Sequence, residues 1–232
     1  MRLLPLCPLF SLILAGASCA PLCAAAEPDW LAVVGLYPQL GTVTTQEELA
    51  VLLWLQSSRT DQDVIRARSE GTPSFGCFAD DIHLGVAAGP APQPIEIANF
   101  PVTVSILEQA RQDLLPILEA LQSTFLRPRP YVTFPAVVPV LPVASTYSYP
   151  STNATLGTVY AQILCQLDPG DQNAITATGS LLGTDRVLGG VHYPSDVVAG
   201  QRLGKAFATY WIDQPGRLQL FQAACGEWHL NQ

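Results

Sequence analysis

The sequence predicts an all-α fold, a bundle of roughly seven helices around a core rich in small residues. Three observations lead there. Apolar residues recur at helical spacing through most of the chain, and no run alternates as a half-buried strand would. The composition, 49% hydrophobic and only 13% charged over 232 residues, is that of a compact domain with a large core.

The N-terminus reads as a processing segment. Met1-Arg2 is a short basic start, Leu3 to Gly16 is mostly apolar, and Ala24-Ala25-Ala26 before Glu27 is a small-residue cleavage site. The apolar run is short for a membrane span and contains Pro5 and Pro8, so an uncleaved anchor is the lesser alternative. Residues 1–26 are therefore expected to be a signal peptide and residues 27–232 a single helical domain, exported to a periplasm or secreted. Glu27 to Val43 reads as a loop. Thr45-x-x-Glu48 has the form of a capping box, followed by Leu49, Leu52, Leu53 and Trp54 at helical spacing. A second helix is expected from Thr60, with Asp63 three residues on, towards Glu70.

Residues 71–103 are rich in Gly and Pro and read as a long surface connection that carries part of a substrate mouth. Val104, Leu107, Ala110, Leu114, Leu118 and Leu121 then give one helical face, which Pro116 should kink or divide. The stretch 127–152 holds six prolines and reads as an extended crossover. Further helices are expected over 153–167, 171–188, 194–212 and 217–228.

Charge and cysteine content narrow the function. The whole chain carries a formal −8, and loss of residues 1–26 removes Arg2 and no acid. Such acidity disfavours nucleic acid and anionic membranes as partners. Lys205 is the only lysine, so any anion site must be built from arginines and backbone N–H groups. Three cysteines follow the signal segment: Cys77, Cys165 and Cys225. An exported compartment permits disulfides, and the favoured arrangement is one disulfide plus one buried thiol, the pairing open. No Cys/His spacing resembles a zinc site.

Three segments carry chemistry. Arg127-Pro128-Arg129-Pro130 puts two arginines on a stiff backbone, which suits anion binding, although a basic cap on a helix C-terminus would look the same. Tyr149-Pro150-Ser151-Thr152-Asn153 opens a helix, whose free N–H groups and Ser151 hydroxyl suit a phosphate or serve as an ordinary N-cap. Asp185-Arg186-x5-His192-x3-Asp196 is the most constrained: a fixed cation, an imidazole that can be nucleophile or proton carrier, and a carboxylate placed to hold one tautomer.

In order and spacing the three segments resemble the type-2 phosphatidic acid phosphatase and vanadium haloperoxidase superfamily, with its Lys-x6-Arg-Pro, Pro-Ser-Gly-His and Ser-Arg-x5-His-x3-Asp motifs. Within it they look most like the soluble, exported class A non-specific acid phosphatases. The resemblance runs from about residue 45 to 225. It implies the superfamily's helical bundle, phosphate binding by Arg129, Ser151, Thr152 and Arg186, a phosphohistidine formed on His192, and orientation of that ring by Asp196. It implies no cofactor and no metal, because arginines supply the charge. The expected ligands are small phosphate monoesters or inorganic phosphate, with no nucleic acid, no membrane insertion after signal removal, and room for a homo-oligomer.

Three positions depart from the pattern. The motif lysine falls on Gln122, which brings no charge. The general-acid histidine falls on Asn153, which has no proton to give. The third-motif serine is Asp185, expected to pair with one of the cradle arginines, with a substitute-acid role as the lesser alternative. The expected function is thus an exported acid phosphatase, impaired or restricted to activated esters. The alternatives are a degenerate member that binds phosphate without turnover, and, further off, a structural protein on the same scaffold. Haloperoxidase chemistry leans on the missing lysine and histidine, and a membrane lipid phosphatase would need spanning helices.

Overall fold

The computed structural model describes residues 25–82 and 95–230. The expected signal segment lies almost wholly outside the described residues, as does the Pro-rich centre of the 71–103 connection. Among the described residues the regular structure is helical, without strands. In chain order the helices are α1 (Trp30–Val34), α2 (Val43–Ser58), α3 (Asp61–Ser69), α4 (Pro101–Phe125), α5 (Pro130–Thr133), α6 (Thr152–Leu167), α7 (Gln172–Leu188), α8 (Pro194–Ile212) and α9 (Arg217–Leu230). α1 and α5 are single turns, and the seven longer helices match the number expected from periodicity.

At the centre stands α6, with α7 and α8 packed along it. Small residues set how close they come. A Cβ on Gly157 of α6 would fall 2.6 Å from the Gly179 carbonyl oxygen of α7, and one on Gly200 of α8 would fall 2.6 Å from the Ser151 carbonyl oxygen. Neither distance can hold a side chain, so these glycines are what bring the start of α6 against α8. Around this trio, α4 and α9 close one side, and α2 and α3 lean on α7. Trp211 and Trp228 are fully buried, and each indole N–H finds an acceptor, Asp113 Oδ2 at 2.7 Å and Thr103 Oγ1 at 2.9 Å. Burying such side chains contributes about 1.5–3 kcal/mol each, and the bonded N–H avoids the cost of an orphaned donor.

Several local expectations change. The N-cap of α2 is Thr42, not Thr45. Thr45 instead donates to the Gln39 carbonyl at 2.6 Å, and Glu48 turns inward to Arg127 and Ser195, so the apparent capping box is not one. The Thr60–Asp63 capping box does form and starts α3. α4 runs unbroken through Pro116. Its first turn lacks a cap of its own, and Glu227 of α9 supplies one, accepting from the backbone N–H groups of Val102 and Thr103 at 2.7 and 2.9 Å. Val104, expected on the buried face of α4, is exposed. The described parts of the 71–103 connection are only in part surface chain. They form 3-10 turns over Phe75–Asp81 and Ile97–Asn99, and Phe75, Phe78, Ile82, Ile95 and Phe100 are buried in the core. Against the expectation of a disulfide, Cys77 and Cys165 are free thiols.

Candidate functional site

The segment from Asp185 to Asp196 folds as a helix end, a reversal and a helix start. Gly190 has φ +77°, a left-handed conformation that glycine adopts without strain. Its N–H donates to the Val187 carbonyl at 2.9 Å, and Val191 N–H donates to the Arg186 carbonyl at 3.0 Å. This is the Schellman arrangement that ends a helix. The chain then turns through His192 and Tyr193 into α8, where Pro194 takes the first helical position. Asp196 sits in that first turn and caps it, accepting from Tyr193 N–H at 2.8 Å. Two opposed helix ends thus place Arg186, His192 and Asp196 within one short stretch.

His192 is 3% exposed, and the state of its ring follows from its neighbours. Arg129 Nη1 lies 3.0 Å from Nε2, and a guanidinium has only donors, so Nε2 accepts. The ring proton is therefore on Nδ1, which lies 3.2 Å from Asp196 Oδ2. Burial lowers the histidine's affinity for a second proton, partly opposed by Asp196. A neutral ring with its Nε2 lone pair directed at an arginine-lined position is the form a nucleophile needs.

Asp196 is fully buried and well supported. Its Oδ2 accepts from Ser148 Oγ as well as from His192 and Tyr193, and its Oδ1 accepts from Arg127 Nη1 at 2.6 Å. Arg127 also reaches Ser195 Oγ at 2.7 Å and Glu48 Oε2 at 2.8 Å, and its guanidinium lies 3.8 Å over the Tyr193 ring. Glu48 Oε1 accepts Ser195 N–H at 2.7 Å. Of the two arginines in the Arg-Pro-Arg-Pro run, Arg129 meets the histidine and Arg127 holds the aspartate. The roles of Arg127 and Glu48 were not legible in the sequence, because Glu48 mimics a capping residue and nothing local pairs it with position 127.

The other predicted residues fall into place less evenly. Arg129 is anchored by the Thr146 and Val191 carbonyls, both at 2.9 Å, and by Thr146 Oγ1 at 3.1 Å. Ser151 caps α6 through a long 3.4 Å contact from Ala154 N–H, and its own N–H donates to the Asp196 carbonyl at 3.0 Å. Gln122 is buried and donates to the Pro150 carbonyl at 3.0 Å and to Thr152 Oγ1 at 3.2 Å, so it fastens the turn that precedes α6. Asn153 donates to the Gly71 carbonyl at 2.9 Å. Arg186 Nη2 donates to the Ala67 carbonyl at 2.5 Å and lies 3.8 Å from Glu70 Oε2. Burial lowers the proton affinity of both Arg129 and Arg186, the mark of cations withdrawn from water. Asp185 corrects an expectation: its partner is not a cradle arginine but Arg66 of α3, which grips both oxygens at 2.9 Å. That bidentate grip occupies both carboxylate oxygens.

Fold and site together define an all-α protein with a buried histidine–arginine–aspartate centre where α7, α8 and the 127–151 segment meet. Over residues 114–219 the chain matches the family model of the PAP2 superfamily. The segment includes every predicted site residue from Gln122 to Asp196 and leaves out α2 and α3. An acid phosphatase of Zymomonas mobilis subsp. mobilis is 28% identical over 128 residues, 52% of this chain and 48% of that protein, so the match spans about half of each. Among solved structures, the transmembrane PAP2 type phosphatidylglycerolphosphate phosphatase from Bacillus subtilis superposes with a TM-score of 0.51 at 17% identity, covering 88% of this chain and 94% of that one. The likeness is one of fold. Among the described residues no helix is long and apolar enough to cross a membrane.

Proposed function

We propose that this protein is an exported phosphomonoesterase of the acid phosphatase kind, closest to class A, in which His192 takes the phosphoryl group as a phosphohistidine. The observation that carries the reading is the Arg129–His192–Asp196 line: Nε2 accepts from Arg129 at 3.0 Å while Nδ1 is held by Asp196 at 3.2 Å. When Nε2 attacks phosphorus, Arg129 moves its donors from the ring to a phosphoryl oxygen, and Arg186 adds a second guanidinium. Asp196 then steadies the positive ring that attack creates. Likeness to the Zymomonas acid phosphatase supports the same reading. The arginines meet the charge of the phosphoryl oxygens without any group beyond the chain's own.

Substrates on this reading are small phosphate monoesters, handled outside the cytoplasm after removal of residues 1–26. Asn153 offers no proton, so ease of departure of the leaving group governs the rate unless another acid stands beside the cradle. The test is release of inorganic phosphate from an aryl phosphate at mildly acidic pH. Equal background rates from the wild type and His192→Ala end the proposal.

A second reading keeps phosphate binding and drops turnover. It is favoured by Gln122 and Asn153, whose amides are both spent on backbone carbonyls. Stabilisation against heat by inorganic phosphate, with no ester hydrolysed, would select it.

A further inference from the structure

An alkoxide leaves phosphorus slowly unless it is protonated as the bond breaks, and Asn153 cannot supply the proton. The end of α3 brings another group to the same place. Glu70 is the C-terminal cap of α3, and the carbonyl of the next residue, Gly71, accepts the Asn153 side-chain N–H at 2.9 Å. Glu70 Oε2 lies 3.8 Å from Arg186 Nη2, within ion-pair range but too far for a hydrogen bond. Among the described residues, Arg186 Nε is buried without a hydrogen-bond partner, and Glu70 Oε2 is buried with no donor against it. Arg186 and Gly71 line one cavity of about 580 Å³ together with Arg68 and residues 139–142.

We propose that Glu70 is the general acid of this site, passing its proton to the oxygen that leaves phosphorus when His192 attacks. The inference rests on the phosphomonoesterase reading above. Two carboxyls lie together here, and their surroundings separate their roles. Asp185 has both oxygens gripped by Arg66, which Asp63 also engages at 2.9 Å. Glu70 has no such grip: it faces Asp185 and shares a hydrogen bond with it, with Arg186 and Arg66 as the nearby cations. Burial first, and Asp185 second, push its carboxyl up to about 7. Among the described residues, Asp168 is the other carboxyl raised into this range, to about 6. It caps the far end of α6, roughly 26 Å along the helix from Ser151 by the rise of about 1.5 Å per residue.

The step balances. The Nε2 lone pair of His192 forms the N–P bond, the P–O bond to the alcohol breaks, and its electron pair takes the Glu70 proton. In the second half, water attacks phosphorus and gives one proton back to the Glu70 carboxylate. The N–P bond then breaks, releasing inorganic phosphate and restoring both residues.

The experiment compares wild type and Glu70→Gln on an alkyl, a phenyl and a dinitrophenyl phosphate. The expected result is a loss of about 10²–10⁴-fold on the alkyl ester and a change of less than about 10-fold on the dinitrophenyl ester, with KM little altered. In the wild type, alkyl ester turnover should fall as pH rises through about 7, while dinitrophenyl turnover lacks that limb. This profile needs no variant and stands even if Glu70→Gln folds poorly. Equal losses across the three esters, or profiles that coincide, overturn the acid role alone. Failure of the wild type to hydrolyse even the dinitrophenyl ester above the His192→Ala background overturns the hydrolase reading and the acid with it.

Discussion

The α8 side of the site and the α3 side are held in different ways. On the α8 side Asp196 accepts from Arg127, Ser148, His192 and Tyr193, and Arg127 is in turn held by Glu48 and stacked on Tyr193. Geometry there is over-determined before any ligand arrives. On the α3 side Arg186 and Glu70 stand near each other with hydrogen-bonding capacity unspent, while Asp185 is locked to Arg66. A nucleophile profits from a fixed ring and a fixed tautomer. On the proposed reading, the side that accepts leaving groups and moves a proton profits from groups left unsaturated.

Several variants probe that contrast. The largest effect is expected from His192→Ala, a loss on the order of 10⁴–10⁶-fold in phosphate release, as for a removed nucleophile; a residual rate within tenfold of wild type would place the chemistry elsewhere. Arg127→Met should cost about 3–5 kcal/mol in denaturant unfolding, because Asp196 and Glu48 remain buried without their cation. A cost below 1 kcal/mol would mean that the α8 side is not held as tightly as its bonds indicate. Gly200→Ala should cost about 1–3 kcal/mol, since its Cβ would meet the Ser151 carbonyl at 2.6 Å. Asn153→Ala should cost about 0.5–1.5 kcal/mol by releasing the Gly71 carbonyl, and should slow alkyl esters more than aryl ones if that bond positions Glu70.

Stability against pH separates the two sides as well. Glu70 titrates higher in the folded chain than unfolded, so the folded state binds the extra proton and stability falls as pH rises from the ordinary carboxyl range to about 7. His192 titrates lower when folded, so its contribution is present above its ordinary value and lost as pH falls below it. Comparing unfolding midpoints of wild type and Glu70→Gln between pH 4 and 8 isolates the first effect. Parallel curves would mean that Glu70 is not perturbed.

Periodicity and capping residues were enough to place α3, α6, α7, α8 and α9, because each has a local start signal or an uninterrupted apolar face. They failed at Glu48, where a local pattern was outbid by a buried arginine 79 residues away. They failed at Pro116 too, where α4 continues within tertiary packing. In the 71–103 connection, Gly and Pro content masked the five apolar residues that enter the core.

The order and spacing of three short segments, through their resemblance to a known superfamily, marked Arg129, Ser151, Arg186, His192 and Asp196 as one constellation. The sequence also showed that Gln122 and Asn153 lack the charge and the proton that their positions are expected to hold. What replaces them was decided by tertiary structure. Gln122 and Asn153 became fasteners, Asp185 chose Arg66, and Glu70 came to rest beside Arg186. Residue identity sets which charges a chain carries, but which of them share a buried space, and therefore which keeps its proton, depends on contacts between segments far apart in the chain.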